Sequence, residues 1–488
     1  MGEAIYKDEF SPAEFRSFSK RLEDQLLTLR EVITEDRFSI WKPTIGAELE
    51  VYLADNNFLP APVNEQLLKS FNHPQLTEEL NRYNLEFNLS PVEANGSPFA
   101  AVEDELRGFL NTLQSQARDI DAQVIPIGIL PTLKDEHLSL DYMTDRPRYH
   151  ALNKGLTRIR KGGFHIDIAG EDHLSLHGEG VTVEGANTSF QVHLRVPAKS
   201  FANHYNAAQL TAPLALALSA NSPLIAGCRL WQESRIALFK QSIDLRERGT
   251  PQWRQPSRVS FGQGWLRSTA WELFAGNVAL YEPLIPLLTD EEEQGDTPRL
   301  PELCLHHGTV WPWNRAVYSH LDGGHMRIEF RFLPAGPTVL DMMANAALCI
   351  GWSLGIGESS VDQYVARLPF NVAEYNFYRA AQQGMDAHLV WPRKAKGGLE
   401  ERPIRDLIEE FLPRARQGLD MLELDTEDVD RLWQIIEERF ETGQTGASWQ
   451  LRTFEKYRKS MDVGEACRSM LSDYVGNITD CDPVARWC

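Results

Sequence analysis

Carboxylates, one imidazole and several guanidinium groups recur at a spacing of two residues in segments with strand-like sequences. Side chains at positions i and i+2 project from the same face of a strand, so each such set acts from one side. The sets are Glu48 with Glu50 in IGAELEVYLAD, Gln191 with His193 in FQVHLRV, Arg327 with Glu329 and Arg331 in MRIEFRF, Glu86 in NLEFNLS, and Glu93 after the turn that follows it.

These residue types together predict metal-assisted phosphoryl transfer. If the strands share one sheet, several carboxylates and one imidazole converge on one face, and such a cluster repels itself unless cations neutralise it. Oxygen-rich ligand sets with one histidine suit Mg²⁺ or Mn²⁺. Arg327 and Arg331 add paired donors for a phosphate or a carboxylate. For any single pair, the alternative is the charged, solvated face of a half-buried strand.

The nucleotide-binding loops that often accompany such chemistry are absent from the sequence. There is no Walker A sequence, and no G-x-G-x-x-G follows a predicted strand. If ATP is the phosphate donor, we expect a sheet and its metals to hold it in place of a glycine-rich loop.

Five segments in a fixed order resemble the glutamate–cysteine ligase type 2 family of carboxylate–amine ligases. They are IGAELEVYL, LEFNLSPVE, TSFQVHLRV, ALSANSP and MRIEFRFLPAGPT, and a tail signature follows at Thr445-Gly446-Ala447-x-Trp449-Gln450-x-Arg452. The resemblance extends over roughly residues 41–452. It implies an α+β fold like the catalytic domain of glutamine synthetase, in which helices surround an antiparallel sheet with a concave active-site face.

The same resemblance implies an activity and a set of site residues. The activity is ATP-dependent ligation through an acyl phosphate with Mg²⁺ or Mn²⁺, in which glutamate and cysteine give γ-glutamylcysteine, a step of glutathione biosynthesis. Arg331 matches the arginine expected to contact the transferring phosphoryl group, so Arg331 and Glu329 are the predicted catalytic pair. The implied metal ligands are Glu48, Glu50, Glu86, Glu93, His193 and Glu329.

Four further residues are candidates for substrate binding. Gln191 shares a strand face with His193, and Arg148 begins a predicted helix where the family binds substrate or nucleotide phosphate. Arg235 lies on the predicted helix WQESRIALFK and could bind a carboxylate or form a surface ion pair. Arg315 lies in TVWPWNRAVY, which we interpret either as a lid or as a packed loop with its tryptophans in the core.

Other readings of the same residues lead to different tests. The ligase could use a different amine, or the chain could be a non-catalytic binding protein that keeps the fold. A metallohydrolase with the same cluster would turn over without a nucleotide. The histidine-rich FHIDIAGEDHLSLH fits no ordered zinc spacing, which favours a solvated hairpin face.

Composition limits the partners. Lys plus Arg total 49 and Asp plus Glu total 69, a net charge of −20, which argues against binding nucleic acid or an anionic membrane. The six cysteines contain no C-x-x-C pair, and the N-terminus has no apolar leader, so we predict reduced thiols and a cytoplasmic location. The expected partners are small molecules, and a homo-oligomer is left open.

The elements that must position these residues follow from periodicity and punctuation. Ser11-Pro12-x-Glu14 predicts a capped helix start, and Ser97-Pro98 predicts another. Strands are expected at 45–55, 83–90, 123–130 and 325–333, with three more between 163 and 197. An apolar helix is expected near 338–354. The predicted divisions are an N-terminal helical segment (1–40), a catalytic domain (41–395) and a helical C-terminal region (396–488).

Overall fold

The computed structural model describes residues 5–39, 43–160, 163–178, 180–246, 256–289, 297–394 and 397–488. The α-helices of these residues are α1 (Pro12–Val32), α2 (Asn64–Ser70), α3 (Pro98–Arg118), α4 (Pro147–Ile159), α5 (Phe201–Ser219), α6 (Ser234–Ser242), α7 (Trp271–Leu280), α8 (Pro301–His307), α9 (Val339–Gly357), α10 (Val361–Val365), α11 (Phe370–Gln383), α12 (Ile404–Asp420), α13 (Thr426–Thr442), α14 (Gly446–Arg458) and α15 (Val463–Asp480).

The strands alternate with these helices along the chain. They are β1 (Thr44–Asp55), β2 (Leu76–Glu78), β3 (Asn84–Asn88), β4 (Val92–Glu93), β5 (Asn95–Gly96), β6 (Ala122–Ile125), β7 (Phe164–Ala169), β8 (His173–Gly178), β9 (Phe190–Val196), β10 (Leu224–Ile225), β11 (Cys228–Arg229), β12 (Val259–Ser260), β13 (Trp311–Pro312), β14 (Asn314–Ser319), β15 (His325–Phe330), β16 (His388–Pro392), β17 (Leu399–Pro403) and β18 (Glu423–Leu424).

One antiparallel sheet organises the molecule. Its strand order is β14-β15-β9-β1-β3-β2, with β4 and β6 also paired to β1, and it curls into a half-barrel. Every pairing within it is antiparallel. The predicted α+β class with an antiparallel sheet is confirmed.

The two faces of the sheet have different environments because side chains alternate along each strand. Val192, Leu194, Ile328 and Phe330 belong to the main hydrophobic core. Helices α5 and α9 pack together and lie against strands β9, β14 and β15. The opposite face is left to the polar side chains, which is where a site can form.

Helix α9 is the one element of the described residues that is long and apolar enough to cross a membrane. Within its most apolar window, 89% of the residues are buried inside the protein. The uncharged stretch that includes α5 is likewise packed in the core.

Local signals placed most elements well. The Ser11 hydroxyl accepts a hydrogen bond from the Glu14 amide, and the Glu14 carboxylate accepts one from the Ser11 amide at 2.8 Å, so the predicted capping box is confirmed. The predicted helix at 98 and the three strands between 163 and 197 are also present.

Two regions differ from expectation. Residues 311–319, which we expected to be a lid or loop, form β13 and the edge strand β14, because β14 pairs along its whole length with β15. The tail is not wholly helical, since β16 and β17 form a hairpin before α12. Both predicted domain boundaries, 40/41 and 395/396, fall on residues outside the described ranges, and the division stays a prediction.

The histidine-rich segment forms the hairpin β7–β8. His165 Nδ1 and His177 Nε2 are 3.0 Å apart, and Asp167 contacts His173 Nε2 at 3.0 Å. Asp167 and His173 are more than half exposed. Within the described ranges, no set of three possible ligand atoms converges on this hairpin, which agrees with a solvated face.

Candidate active site

Strand register brings the predicted site residues into rows across the sheet. In one row Arg315 pairs with Glu329, Glu329 with His193, and His193 with Gly46. In the next rows Glu48 lies opposite Gln191, and Glu50 lies opposite Glu86. Because partners across antiparallel strands share a face, residues far apart in sequence meet on one surface.

The first group of possible ligands is Glu48, His193 and Glu329, which we call the histidine cluster. One ligand atom from each lies within 4.8 Å of the others. His193 Nε2 is 3.1 Å from Glu48 Oε1 and 3.9 Å from Glu329 Oε1. The ring is buried, yet neither nitrogen makes a hydrogen bond of acceptable geometry. A buried imidazole without a partner fits a missing ligand.

The second group is Glu50, Glu79 and Glu86, which we call the carboxylate cluster, and it meets the same distance criterion. The Ser189 amide donates to Glu50 Oε2 at 2.6 Å, and Gln191 Nε2 donates to Glu50 Oε1 at 2.9 Å. These bonds fix Glu50, but no cation among the described residues forms an ion pair with the cluster.

The two clusters differ in charge balance. Burial alone would raise the pKa of Glu329, but Arg315 and Arg331 hold it well below its ordinary value. Burial would also raise the pKa of Glu48, but the neighbouring His193 lowers this pKa below its ordinary value. In the carboxylate cluster, burial and the neighbouring carboxylates raise the pKa of Glu86 to about 8 and that of Glu79 well above its ordinary value. The carboxylate cluster therefore has the greater need of a cation.

Arg331 lies at the junction of the two clusters. Its Nη1 donates to Glu329 Oε1 at 3.1 Å and to Gln191 Oε1 at 2.5 Å. Its Nε is buried and has no hydrogen-bond partner. A guanidinium that is positioned by two acceptors and still has a free donor can bind a further anion.

A cavity of about 420 Å³ opens over these groups. Glu48, Glu50, Glu86 and Arg331 line it, together with three of the four predicted substrate residues, Arg148, Gln191 and Arg315. A second cavity of about 480 Å³ shares Arg148 and Arg315 with the first, and Arg327 lines it as well. We call the first the acidic cavity and the second the basic cavity; they are adjacent, since they share Arg148 and Arg315.

The basic side of the site contains an unusual pair. Arg195 and Arg327 lie opposite each other on β9 and β15, one row beyond His193 and Glu329. Arg195 is 5% exposed. Within the described ranges, its Nε and Nη2 atoms and the Nε atom of Arg327 have no hydrogen-bond partner. Like charges in this position are destabilising unless an anion joins them.

Two predicted site residues lie elsewhere. Arg235 is buried and donates to Glu233 and to the carbonyl of Phe332, just beyond the end of β15, so its ion pair is not a surface one. It is not among the residues that line the first cavity, and its role in substrate binding stays a prediction. Glu93 pairs with Thr44, about 13 Å along β1 from Glu48, and its carboxylate accepts a hydrogen bond from Asn95. Glu93 joins neither cluster, and its role as a ligand stays a prediction.

The structure adds three carboxylates to the cavity wall that sequence reasoning missed, Glu78, Glu79 and Glu184. Strand β2 pairs with β3 so that Thr77 faces Glu86, and Glu79 follows Thr77 by two residues on that face. The hairpin spacing in LTEELNRYNLEF could have revealed it. Glu184 lines the cavity from a 3₁₀ segment, Val181–Ala186, which has no sequence periodicity to reveal it.

Comparisons with known proteins bear on the family and the fold of the chain. The sequence model of glutamate–cysteine ligase family 2 matches residues 44–470. No curated protein sequence matches the chain. Among solved structures, the glutamate–cysteine ligase from Francisella tularensis in complex with AMP is similar at 11% identity and a TM-score of 0.55, over 92% of this chain and 96% of that one. A bifunctional glutathione synthetase from Pasteurella multocida has 10% identity and a TM-score of 0.49, over 94% of this chain and 55% of that one.

The curled antiparallel sheet is thus similar in fold to a solved ligase structure. The chain belongs to glutamate–cysteine ligase family 2, since the match extends over most of its length. The family and the enzyme class predicted from the sequence, an ATP-dependent ligase, are confirmed.

Proposed function

We propose that the chain joins the γ-carboxylate of glutamate to an α-amine through an acyl phosphate, with cysteine as the amine and γ-glutamylcysteine as the product. The observation that carries this proposal is the placement of Arg331 between two ligand clusters in one cavity. This arrangement provides one place where a phosphoryl group can be held from several sides while it moves between two oxygen atoms.

The donor set fits two hard divalent cations, Mg²⁺ or Mn²⁺. Glu48, His193 and Glu329 would hold one ion, and Glu50, Glu79 and Glu86 the other. The unpartnered ring nitrogens of His193 and the raised pKa of Glu86 both support such occupancy. When bound, the ions neutralise phosphate charge that the carboxylates would otherwise repel.

The chain's own residues orient the nucleotide and the phosphoryl group. Arg331 donates to the transferring phosphoryl oxygens, and Gln191 and Glu329 hold its guanidinium in place. Arg195 and Arg327, with their unpartnered nitrogens, suit the remaining phosphates of ATP on the basic side. The AMP complex of the Francisella tularensis ligase supports a nucleotide in a fold of this kind.

We further infer that the curled sheet is the glutamine-synthetase-like sheet that the family resemblance implies, with its concave face as the active site. We assign a cytoplasmic location, supported by six free cysteines, and small-molecule substrates as the partners. A homo-oligomer is compatible with this proposal, which uses residues of one chain only.

A ligase that uses a different amine is the nearest alternative. The residues that would select the side chain of the amine are separate from the clusters that would help to activate the carboxylate, so the same clusters could serve another amine. A non-catalytic protein of the same fold is not favoured, since it would have no need to keep self-repelling carboxylates together in the cavity. A metallohydrolase would use the clusters without ATP.

The deciding experiment measures ADP release with Mg²⁺, ATP and glutamate across a panel of amino-acid amines. We expect release to require both glutamate and an amine, with cysteine the best acceptor. Glu50→Gln is the control for contaminating ATPases. Turnover with another amine would replace cysteine but keep the ligase, whereas cleavage of a γ-glutamyl amide by water in the absence of ATP would identify a hydrolase.

A further inference from the structure

Six carboxylates line the acidic cavity, and all but one of them are accounted for by a partner or a cluster. They are Glu48, Glu50, Glu78, Glu79, Glu86 and Glu184. Glu48 belongs to the histidine cluster, and Glu50, Glu79 and Glu86 form the carboxylate cluster. Glu78 accepts a hydrogen bond from Arg146 Nε at 2.7 Å. Only Glu184 remains without a function.

Hydrogen bonds hold the segment that contains Glu184 in place, although no described residue donates a hydrogen bond to the Glu184 carboxylate. Its own carbonyl accepts a hydrogen bond from Asn187 Nδ2 at 2.8 Å, and the next residue but one, Ala186, accepts one from the Tyr52 hydroxyl at 2.6 Å. Thr182 bonds to the Leu138 carbonyl, and Asn81 Nδ2 donates to the Thr182 carbonyl at 2.8 Å. Among the described residues, no donor reaches the Glu184 carboxylate, and Glu50 and Arg331 are the charges that influence it.

A half-buried carboxylate that accepts no hydrogen bond from the described residues keeps both of its oxygen atoms available to a ligand. The surrounding charges restrict the kind of ligand. An anion is disfavoured by the neighbouring carboxylates, and the divalent cations have better ligand sets a short distance away. The acceptor of the proposed reaction enters as an ammonium ion, which carries one positive charge and up to three N–H donors.

We propose that Glu184 binds the ammonium group of the acceptor amine and accepts the proton that this group must lose before it attacks. The proposal rests on the ligase function proposed above. It assigns to this part of the cavity wall both the recognition of the amine and its activation.

One N–H bond of the ammonium breaks, and the proton moves to the Glu184 carboxylate, which leaves a lone pair on nitrogen. That pair forms the C–N bond with the acyl carbon, the bond from carbon to the phosphate oxygen breaks, and phosphate leaves with the electron pair. The second proton on nitrogen passes to the leaving phosphate, and Glu184 then returns its proton to solvent.

The test compares two acceptors in Glu184→Gln. One acceptor is the amino acid that the unchanged chain uses best, and the other is hydroxylamine, which is small and largely unprotonated at neutral pH. We expect kcat/KM for the amino acid to fall by about 10²-fold, with a raised KM, because both the charge and the base are lost. Hydroxamate formation should fall by less than about threefold, because hydroxylamine needs neither.

Glu78→Gln is the matched control, because it removes one charge from the same cavity at a carboxylate that already has a partner. It should affect both acceptors equally. If Glu184→Gln melts below the assay temperature, Glu184→Asp keeps the charge with a shorter reach and should show the same selective loss to a smaller degree. Equal loss with both acceptors, or no loss with either, would overturn the assignment. Absence of ADP release from the unchanged chain with both acceptors would instead overturn the ligase function itself.

Discussion

Arg315 and Glu329 face each other across β14 and β15 and form a two-pronged ion pair. Arg315 Nε is 2.5 Å from Glu329 Oε2, and Arg315 Nη2 is 3.0 Å from Oε1. Arg331 adds a third contact to the same carboxylate, which is 1% exposed. Protein cations therefore stabilise the histidine cluster, whereas no cation among the described residues forms an ion pair with the carboxylate cluster.

This pairing predicts a stability effect that depends on metal. Arg315→Gln leaves a buried carboxylate with only Arg331 as a cation, so we expect a loss of about 1–3 kcal/mol, less than for a fully unpaired buried charge. Saturating Mn²⁺ should restore part of it, because the ion replaces the missing charge. Thermal melts with and without Mn²⁺ measure this; an equal Mn²⁺ shift in variant and parent would contradict it.

Arg331→Lys tests whether Arg331 acts on the transferring phosphoryl group. Lysine keeps the charge but loses the paired donors, so we expect kcat to fall by about 10²-fold while the KM for ATP changes less. A structural role, in which Arg331 only joins Glu329 and Gln191, predicts near-normal kcat and a lowered melting temperature. Steady-state kinetics and a melt on the same variant separate the two.

Cation stoichiometry tests the two clusters directly. We expect the parent chain to bind two Mn²⁺ ions by calorimetry and Glu86→Gln to bind one, with activity lowered by at least about tenfold to 10²-fold. Glu93→Gln is the comparison, because Glu93 lies outside both clusters and should keep both ions. Loss of an ion in Glu93→Gln would restore Glu93 as the ligand that the sequence predicts.

The affinity of the carboxylate cluster for a cation should rise with pH. In the cation-free chain the pKa of Glu86 is raised to about 8, so below pH 8 this carboxyl is largely protonated and must release its proton to bind a metal. Glu79 of the same cluster also has a raised pKa, and each proton released on binding gives about a tenfold gain in Mn²⁺ affinity per pH unit while its carboxyl is protonated. Calorimetry in buffers of different ionisation heat counts the proton; a flat affinity profile would contradict the assignment.

The stability of the cation-free chain should also depend on pH. Because the folded chain holds the Glu184 proton more tightly than the unfolded chain does, cation-free stability should fall as pH rises from about 4.5 to about 8. Glu184→Gln removes this titration, so urea unfolding of the variant should lose less stability over that interval. A parent and a variant with parallel pH profiles would show that Glu184 does not titrate in this range.

The sequence by itself determined the residue types and the face each one takes. Period-two alternation fixed Glu48 with Glu50, Gln191 with His193, and Glu329 with Arg331, because side chains on a strand can only alternate. It also marked the capped start of α1, which depends on four adjacent residues. Local rules were sufficient for these features because the interactions involved are local.

Only the tertiary structure decided which faces meet. Register between strands distant in the chain placed His193 beside Glu329 and Glu86 beside Glu50, and pairing with β15 made an edge strand of a segment expected to be a lid or a packed loop. Packing also gave two arginines different surroundings: Arg235 donates to the backbone carbonyl of Phe332, whereas Arg331 lines the cavity. Glu184 acquires its place from a 3₁₀ segment held by Tyr52, Asn81 and Leu138. Such contacts depend on the packing of distant segments, a three-dimensional property that no local spacing encodes.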